Sequence, residues 1–190
     1  KISYGIGMDI GKNLKKQPAE FNPEAILQHF WDAFTDGKSL MTDPDYPDML
    51  AETSEAPPVL FYRGNIKAAS GPAICIVGSR RSSRRGLVVA RELAWELSRR
   101  GVLVVSGMAR GIDTVAHDGA LAGGGCTCAV LGCGIDIAYP QENAPLAMPI
   151  ARHGCVLSSF PPGTPPSKQH FPMRNRNLPG PTRVVPVAAT

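Results

Sequence analysis

A glycine, a serine and two arginines follow an apolar run, at Gly78, Ser79, Arg80 and Arg81. Such a loop can bind an anion, because glycine allows close approach to the backbone and both N–H and guanidinium groups donate to phosphate. A dinucleotide site needs G-x-G-x-x-G and an acid after the next strand, where this chain has Ser106-Gly107. The P-loop pattern G-x-x-x-x-G-K-[ST] does not occur. The loop therefore predicts a phosphate site of another kind.

Small polar residues recur where three further apolar runs end. If these runs are parallel strands, their loops meet at the carboxyl edge of one sheet, where ligands of open α/β sheets bind. The sequence therefore predicts one crevice formed by four loops. Beside the first loop, its candidate residues are Ser106, Gly107, Arg110, Gly132, Gly134, Ser158 and Ser159.

The apolar spacing predicts the elements that position these loops. Runs rich in β-branched residues alternate with longer stretches of helical periodicity, which is typical of βαβ units. We expect a doubly wound α/β fold with a mostly parallel sheet. The predicted strands cover residues 59–62, 73–77, 102–105, 126–131, 155–158 and 184–188, and the predicted helices cover residues 83–100, 113–121 and 144–153.

The N-terminal region differs from the rest in charge. Residues 1–65 carry a net charge of −4, whereas residues 66–190 carry +8. An amphipathic helix is predicted over residues 22–34, with Asn22 as its N-cap. We interpret residues 1–38 as a small acidic helical extension or domain remnant, and residues 39–190 as the main domain. A polyanionic partner would bind the main domain.

The composition bounds the class of protein. The chain has 190 residues, of which 43% are hydrophobic, enough for one good core. It has no run of eighteen uncharged apolar residues and no secretory signal pattern, so we expect a cytoplasmic protein without a membrane segment. The cysteines lie in or beside apolar runs, so we expect structural core residues and no metal site. They are Cys75, Cys126, Cys128, Cys133 and Cys155.

No residue pair predicts catalysis. Asp113 and His117 lie four residues apart at a predicted helix start. An aspartate at such a position caps the helix, and the histidine then packs or bonds locally. We therefore expect no catalytic residue and no cofactor.

Six motifs resemble those of one family in order and spacing. They are VGSR (77–80), SGMARGID (106–113), AHDGAL (116–121), VLGCGIDIAYPQEN (130–143), PPG (161–163) and FPMRNR (171–176). Over about residues 39–176, the sequence resembles the DprA/Smf family of DNA-processing proteins. The resemblance implies a Rossmann-like protein that is not an enzyme, binds single-stranded DNA and loads the recombinase RecA onto it in natural transformation. It also implies a homodimer for the full-length protein.

The resemblance implies DNA contacts for residues near the end of the chain. Lys168 is expected to bind phosphate, and Phe171 to contact a base or its surroundings, with a core position as the alternative. Asn175 is expected to bond a phosphate or the neighbouring loop. The expected DNA-binding residues are Gly78, Ser79, Arg80, Ser106, Gly107, Arg110, Gly111, Gly134, Lys168, Phe171, Arg174, Asn175 and Arg176.

The sequence also departs from the family pattern. Ser158-Ser159-Phe160 stands where the family has Ser-Glu, and Ala188-Ala189 stands where it has Glu-Ala, so two acids are absent. The chain ends before the last part of the family fold, where the dimer and RecA contacts largely lie. We therefore expect a C-terminally incomplete domain, in which RecA loading depends on family membership alone.

Two other classes remain open. Rossmann-like phosphoribohydrolases, which release bases from nucleotides, use a P-G-G-x-G-T loop and a nearby glutamate. This chain has Gly123-Gly124-Gly125-Cys126-Thr127 with no glutamate beside it. An assay of base release from a nucleoside monophosphate separates the two, because DNA binding predicts no turnover. A protein-interaction domain without a ligand would have to explain the four polar strand ends.

Overall fold

The computed structural model describes Leu50, Pro57, residues 59–170 and, as backbone only, Arg183–Val187. Two short 3-10 helices lie at Ile66–Ser70 and Gln141–Asn143. The strands are β1 (Phe61–Gly64), β2 (Ala73–Gly78), β3 (Leu103–Ser106), β4 (Thr127–Leu131), β5 (Cys155–Ser158) and β6 (Arg183–Val187). The α-helices of this part are α1 (Arg84–Arg99), α2 (Ile112–Ala122) and α3 (Ala144–His153).

The described strands form one sheet with the order β1-β5-β4-β3-β2-β6. Strands β2 to β5 run parallel to one another, β6 runs parallel to β2, and β1 pairs antiparallel with β5. The chain adds β3, β4 and β5 on one side of β2, and β6 lies on its other side. The strand order therefore reverses at β2, which makes the loop after β2 the switch point of the sheet. The predicted α/β, mostly parallel, Rossmann-like fold is confirmed.

The helices cover one face of the sheet. Val104 of β3 pairs with Thr127 of β4, so these two residues share that face. Val104 is fully buried among residues of α1 and α2, and the same face of β4 is buried against α3. A Cβ added at Gly119 of α2 would lie 2.2 Å from the carbonyl oxygen of Arg91 in α1, so the two helices are in close contact.

The opposite face forms a second apolar core. Cys75, Val105 and Cys128 alternate in the strands with the residues that face the helices, and all three are buried. In the described part of the chain, the 3-10 helix Ile66–Ser70 packs against this face through Ile66. Strands β3, β4 and β5 are therefore buried on both faces, which explains why they were recognisable as continuous apolar runs.

The element boundaries follow the apolar pattern closely. Helix α3 and strand β5 have the predicted bounds. Helix α1 lies inside the predicted range, because Ser83 is its N-cap, accepting from the N–H of Gly86 at 3.2 Å, and Arg100 is its C-cap. Strand β1 begins two residues later than predicted, since it is an edge strand whose limits are set by pairing with β5.

The predicted cap of α2 is wrong. The N-cap is Gly111, and Asp113 lies inside the first turn. Its Oδ2 accepts a hydrogen bond from the N–H of Ala109 at 3.3 Å, so it supports the preceding loop. His117 is fully buried, and its Nδ1 lies 2.7 Å from Oγ1 of Thr127. Because that hydroxyl donates to the carbonyl of Val104, Nδ1 of His117 carries the proton.

The cysteine prediction holds for four of the five residues. Cys126 is exposed just before β4 and is not a core residue, which corrects the prediction; the other four are buried. A hydrogen bond with Cys155, together with burial, raises the pKa of the Cys128 thiol well above its ordinary value. Cys128 is therefore a neutral core residue.

Three predictions concern more of the chain than the structure describes. None of the helices in the described residues combines the length and the apolar character needed to cross a membrane. The helix predicted over residues 22–34 lies outside the described residues, and the division between residues 38 and 39 stays a prediction.

Candidate functional site

A cleft of about 280 Å³ opens at the carboxyl edge of the sheet. Three loops line it, those after β2, β3 and β4, which are neighbouring strands. We call it the carboxyl-edge cleft. Its described lining residues are Arg80 and Arg81 of the first loop, Gly107, Ala109 and Arg110 of the second, and Gly132, Cys133, Tyr139 and Pro140 of the third.

The first loop is fixed to the start of α2 through Ser79. The Oγ of Ser79 accepts from the N–H of Arg81 at 3.1 Å, and its carbonyl oxygen accepts from the N–H of Ile112 at 3.3 Å. Gly111 has a φ of +78°, and a Cβ at this position would lie 2.3 Å from the carbonyl oxygen of Ser79. The contact between the two loops therefore requires glycine at position 111.

Hydrogen bonds from Asn143 fix the second loop. Asn143 itself follows the third loop in the chain. Its Nδ2 donates to the carbonyl oxygens of Met108 at 2.8 Å and Ala109 at 3.3 Å, and lies 2.9 Å from Oγ1 of Thr114. The hydroxyl of Thr114 in turn donates to the carbonyl of Ala109 at 2.8 Å. These bonds fix the backbone directly before Arg110.

The third loop is supported on its other side by residues 158–164. The N–H of Gly163 donates to both carboxylate oxygens of Asp136, at 2.8 and 3.1 Å. The N–H of Gly134 donates to the carbonyl of Thr164 at 2.9 Å, and Oγ of Ser158 donates to the carbonyl of Cys133 at 2.7 Å. Gly134 and Ser158 are therefore occupied in supporting this loop.

The cleft is basic. The side chains of Arg80, Arg81 and Arg110 line it, and one carboxylate, that of Glu142, forms an ion pair with Arg110. Hydrogen bonding by its own backbone N–H and the charge of Arg110 lower the pKa of Glu142, so it is ionised at neutral pH. Both partners of the pair are more than half exposed, and the bond is therefore open to competition by another anion.

The structure brings together part of the predicted site. Arg80, Gly107 and Arg110 line the cleft, and Gly132 joins them. Ser79 and Gly111 join the first two loops behind it, next to Gly78 at the end of β2. Three of the four predicted loops therefore meet in one cleft.

Other predicted residues lie elsewhere. Ser106 is fully buried, and its Oγ donates to the carbonyl of Ile76 at 2.7 Å, so it joins β3 to β2. Lys168 is exposed and is not among the residues that line the cleft. Phe171, Arg174, Asn175 and Arg176 lie outside the described residues, so their roles stay predictions.

Arg81 belongs to the predicted phosphate loop but is not among the expected DNA-binding residues. Sequence reasoning missed Tyr139, Glu142 and Asn143, which lie in the stretch AYPQEN of one of the six motifs. An aromatic ring next to a proline after a strand was a usable signal for a ligand contact. Nothing in the sequence indicated that Asn143 bonds to a loop more than thirty residues earlier.

The fold and the cleft define a class: a Rossmann-like α/β protein with a basic cleft at the carboxyl edge of its sheet. Residues 38–189 match the family model described as DNA recombination-mediator protein A. Because the match covers most of the chain, the chain belongs to this family. Residues 1–58 match a second model, described as the domain amino terminal to FKBP-type peptidyl-prolyl isomerase. The two matched ranges overlap, so they do not define a domain boundary.

Individual relatives agree with this assignment. The DNA processing protein DprA of Streptococcus pneumoniae is 43% identical over 146 residues, covering 77% of this chain and 51% of the relative. Its X-ray structure superposes with a TM-score of 0.72 at 35% identity, covering 97% of this chain and 70% of the other. DNA processing protein A of Helicobacter pylori has a TM-score of 0.69 at 29% identity, covering 74% and 65%. The chain spans about half the length, or less, of the curated relatives it matches.

We expect Gly111→Ala to lower the free energy of unfolding by about 1–3 kcal/mol more than Gly124→Ala. Both glycines have φ above +70°, but a Cβ at Gly124 would meet nothing within 4 Å, whereas one at Gly111 would meet Ser79. Chemical denaturation of the two variants measures the difference. Equal losses would contradict the close contact between the first two loops.

Proposed function

We propose that the chain binds single-stranded DNA, with the sugar–phosphate backbone of the strand at the carboxyl-edge cleft. The observation that carries this proposal is the convergence of Arg80, Arg81 and Arg110, from two separate loops, on one cleft. Guanidinium groups bind phosphate oxygens in a bidentate manner, and a row of phosphates satisfies several of them at once. A strand of nucleic acid supplies such a row.

The backbone of the cleft is suited to the same ligand. Gly107 and Gly132, which have no side chain, line the cleft beside the arginines. The N-terminus of α2 lies next to Arg110, and the positive end of its dipole favours an anion there. Binding by such contacts depends steeply on salt, because the strand releases condensed counterions.

Similarity supports the choice of single-stranded DNA over other polyanions. The Helicobacter pylori relative has been characterised structurally for its single-stranded DNA binding mode. Over the aligned part, which covers 74% of this chain, the two proteins share the fold and 29% sequence identity. We infer the same ligand class for this chain.

The position of the glycine run argues against the nucleotide-hydrolase alternative. Gly123 to Gly125 lie between α2 and the amino end of β4, at the edge of the sheet opposite the cleft. Among the described lining residues of the cleft, none is an aspartate, a glutamate or a histidine. The glycine run is therefore at the wrong edge of the sheet to act as a phosphate loop of this cleft.

The proposal extends to the activity of the longer family members. We propose that the full-length protein forms a homodimer, loads RecA onto the bound strand and acts in natural transformation. These parts of the proposal rest on family membership alone, because the chain spans only about half the length of these relatives.

We expect Arg80→Ala to weaken single-stranded DNA binding about tenfold or more, because a charge-assisted contact is lost. The slope of log affinity against log salt should fall by about 0.7 for one lost phosphate contact on a single strand. Fluorescence anisotropy with a labelled oligonucleotide at several salt concentrations measures both.

The matched control is Arg99→Ala, which removes the same charge. Arg99 lies in the last turn of α1, over the ring of Trp95 at 4.6 Å. Equal effects of Arg80→Ala and Arg99→Ala on affinity and salt slope would mean that Arg80 contributes only to the net charge of the protein and does not contact the strand.

We expect Glu142→Gln to tighten DNA binding by about two- to five-fold. In the parent chain, Arg110 must give up its ion pair with Glu142 before it binds a phosphate, and the substitution removes that competition. The same substitution should have no effect in an Arg110→Ala background. Glu96→Gln, which removes an exposed carboxylate paired with Arg100, is the control. A gain that persisted without Arg110 would rule out competition at this ion pair.

A further inference from the structure

Tyr139 is an aromatic residue in a cleft that otherwise presents glycines, small side chains and arginines. It lies in the third loop, after β4, and its side chain is 41% exposed. This exposure leaves part of the residue accessible to a ligand at the cleft.

Tyr139 and the first two arginines line the cleft from loops that follow different strands of the sheet. Strands β2, β3 and β4 are neighbours, so the loop after β3 lies between the other two loops. Two strand spacings separate the ends of β2 and β4 by roughly 10 Å. Gly107 and Gly132 line the cleft between them.

The size of the cleft suits one nucleotide. Its volume of about 280 Å³ lies at the lower limit of small-ligand sites, roughly 300–1,000 Å³. A base pair within a stacked duplex would need more room and would not expose the face of either base. A base of a single strand has a free face, on which an aromatic side chain can stack.

We propose that Tyr139 is a stacking surface for one unpaired base, while Arg80 and Arg110 bind the phosphates of the same strand. The inference rests on the proposed function and deepens it, because it names the feature that selects single strands. Arginines alone bind any polyanion, whereas a ring at the cleft adds affinity only where a base is unpaired and free to stack.

The test distinguishes contacts with bases from contacts with phosphates. Two labelled oligonucleotides of equal length are compared, one of thymidines and one whose residues all lack a base. Their phosphate charge is the same, so a difference in affinity reports contacts with bases. Anisotropy is measured with the full 190-residue chain, its Tyr139→Leu variant and its Tyr139→Phe variant.

We expect Tyr139→Leu to reduce the preference for thymidines about five- to a hundred-fold, the range for one lost stacking contact. Affinity for the abasic strand and the salt slope should stay those of the parent chain, because the arginines remain. Tyr139→Phe should recover the preference, since it keeps the ring. Tyr62→Leu is the matched control, because Tyr62 is 49% exposed on edge strand β1, away from the cleft.

A second measurement does not depend on a truncated side chain. In Tyr139→Trp, the added indole fluorescence should be quenched by the thymidine strand and not by the abasic strand, after subtraction of the parent chain. Quenching by both strands, or by neither while both bind, would overturn the stacking role.

The outcomes also distinguish the stacking role of Tyr139 from the proposed binding of single-stranded DNA. Salt-dependent binding with an unchanged preference in Tyr139→Leu would overturn the stacking role and leave the proposed function standing. Failure of the parent chain to bind either strand at low salt would overturn the proposed function itself.

Discussion

One buried amide, that of Asn143, holds the geometry of the cleft. Its Nδ2 bonds to the carbonyls of Met108 and Ala109, so the loop after β4 supports the loop after β3. Met108 has a φ of +58° and is fully buried, a backbone geometry that a non-glycine residue keeps only when its surroundings hold it. Arg110 follows two residues later, so the position of its charge depends on this contact.

The remaining contacts fix the backbone of the three loops and leave the charged side chains exposed. Gly111 against Ser79 joins the first two loops, and Asp136 joins the third to residues 161–164. The side chains that reach into the cleft are long or aromatic and largely exposed. This combination suits a ligand that is repetitive and flexible, because the rigid backbone sets the path of the strand and the arginines adjust to individual phosphates.

Much of the fold was predictable because it depends on local pattern. A sheet buried on both faces leaves apolar runs in the sequence, and α3 and β5 have the predicted bounds. Arg80 and Arg110 were recognisable because carboxyl ends of parallel strands meet at one edge. Asn143 and Glu142 were missed, since their contacts join residues more than thirty positions apart. Asp113 was misassigned because the contact of Gly111 with Ser79 sets the start of α2.

A single strand bound at the carboxyl edge of this sheet would shield the loops of that edge from solvent. Hydrogen–deuterium exchange of the full chain is compared with and without a saturating single-stranded oligonucleotide at low salt. We expect slower exchange in the loops after β2, β3 and β4, and unchanged exchange at Gly123 to Gly125 on the opposite edge. Protection at that opposite edge with none in the three loops would contradict binding at the carboxyl edge.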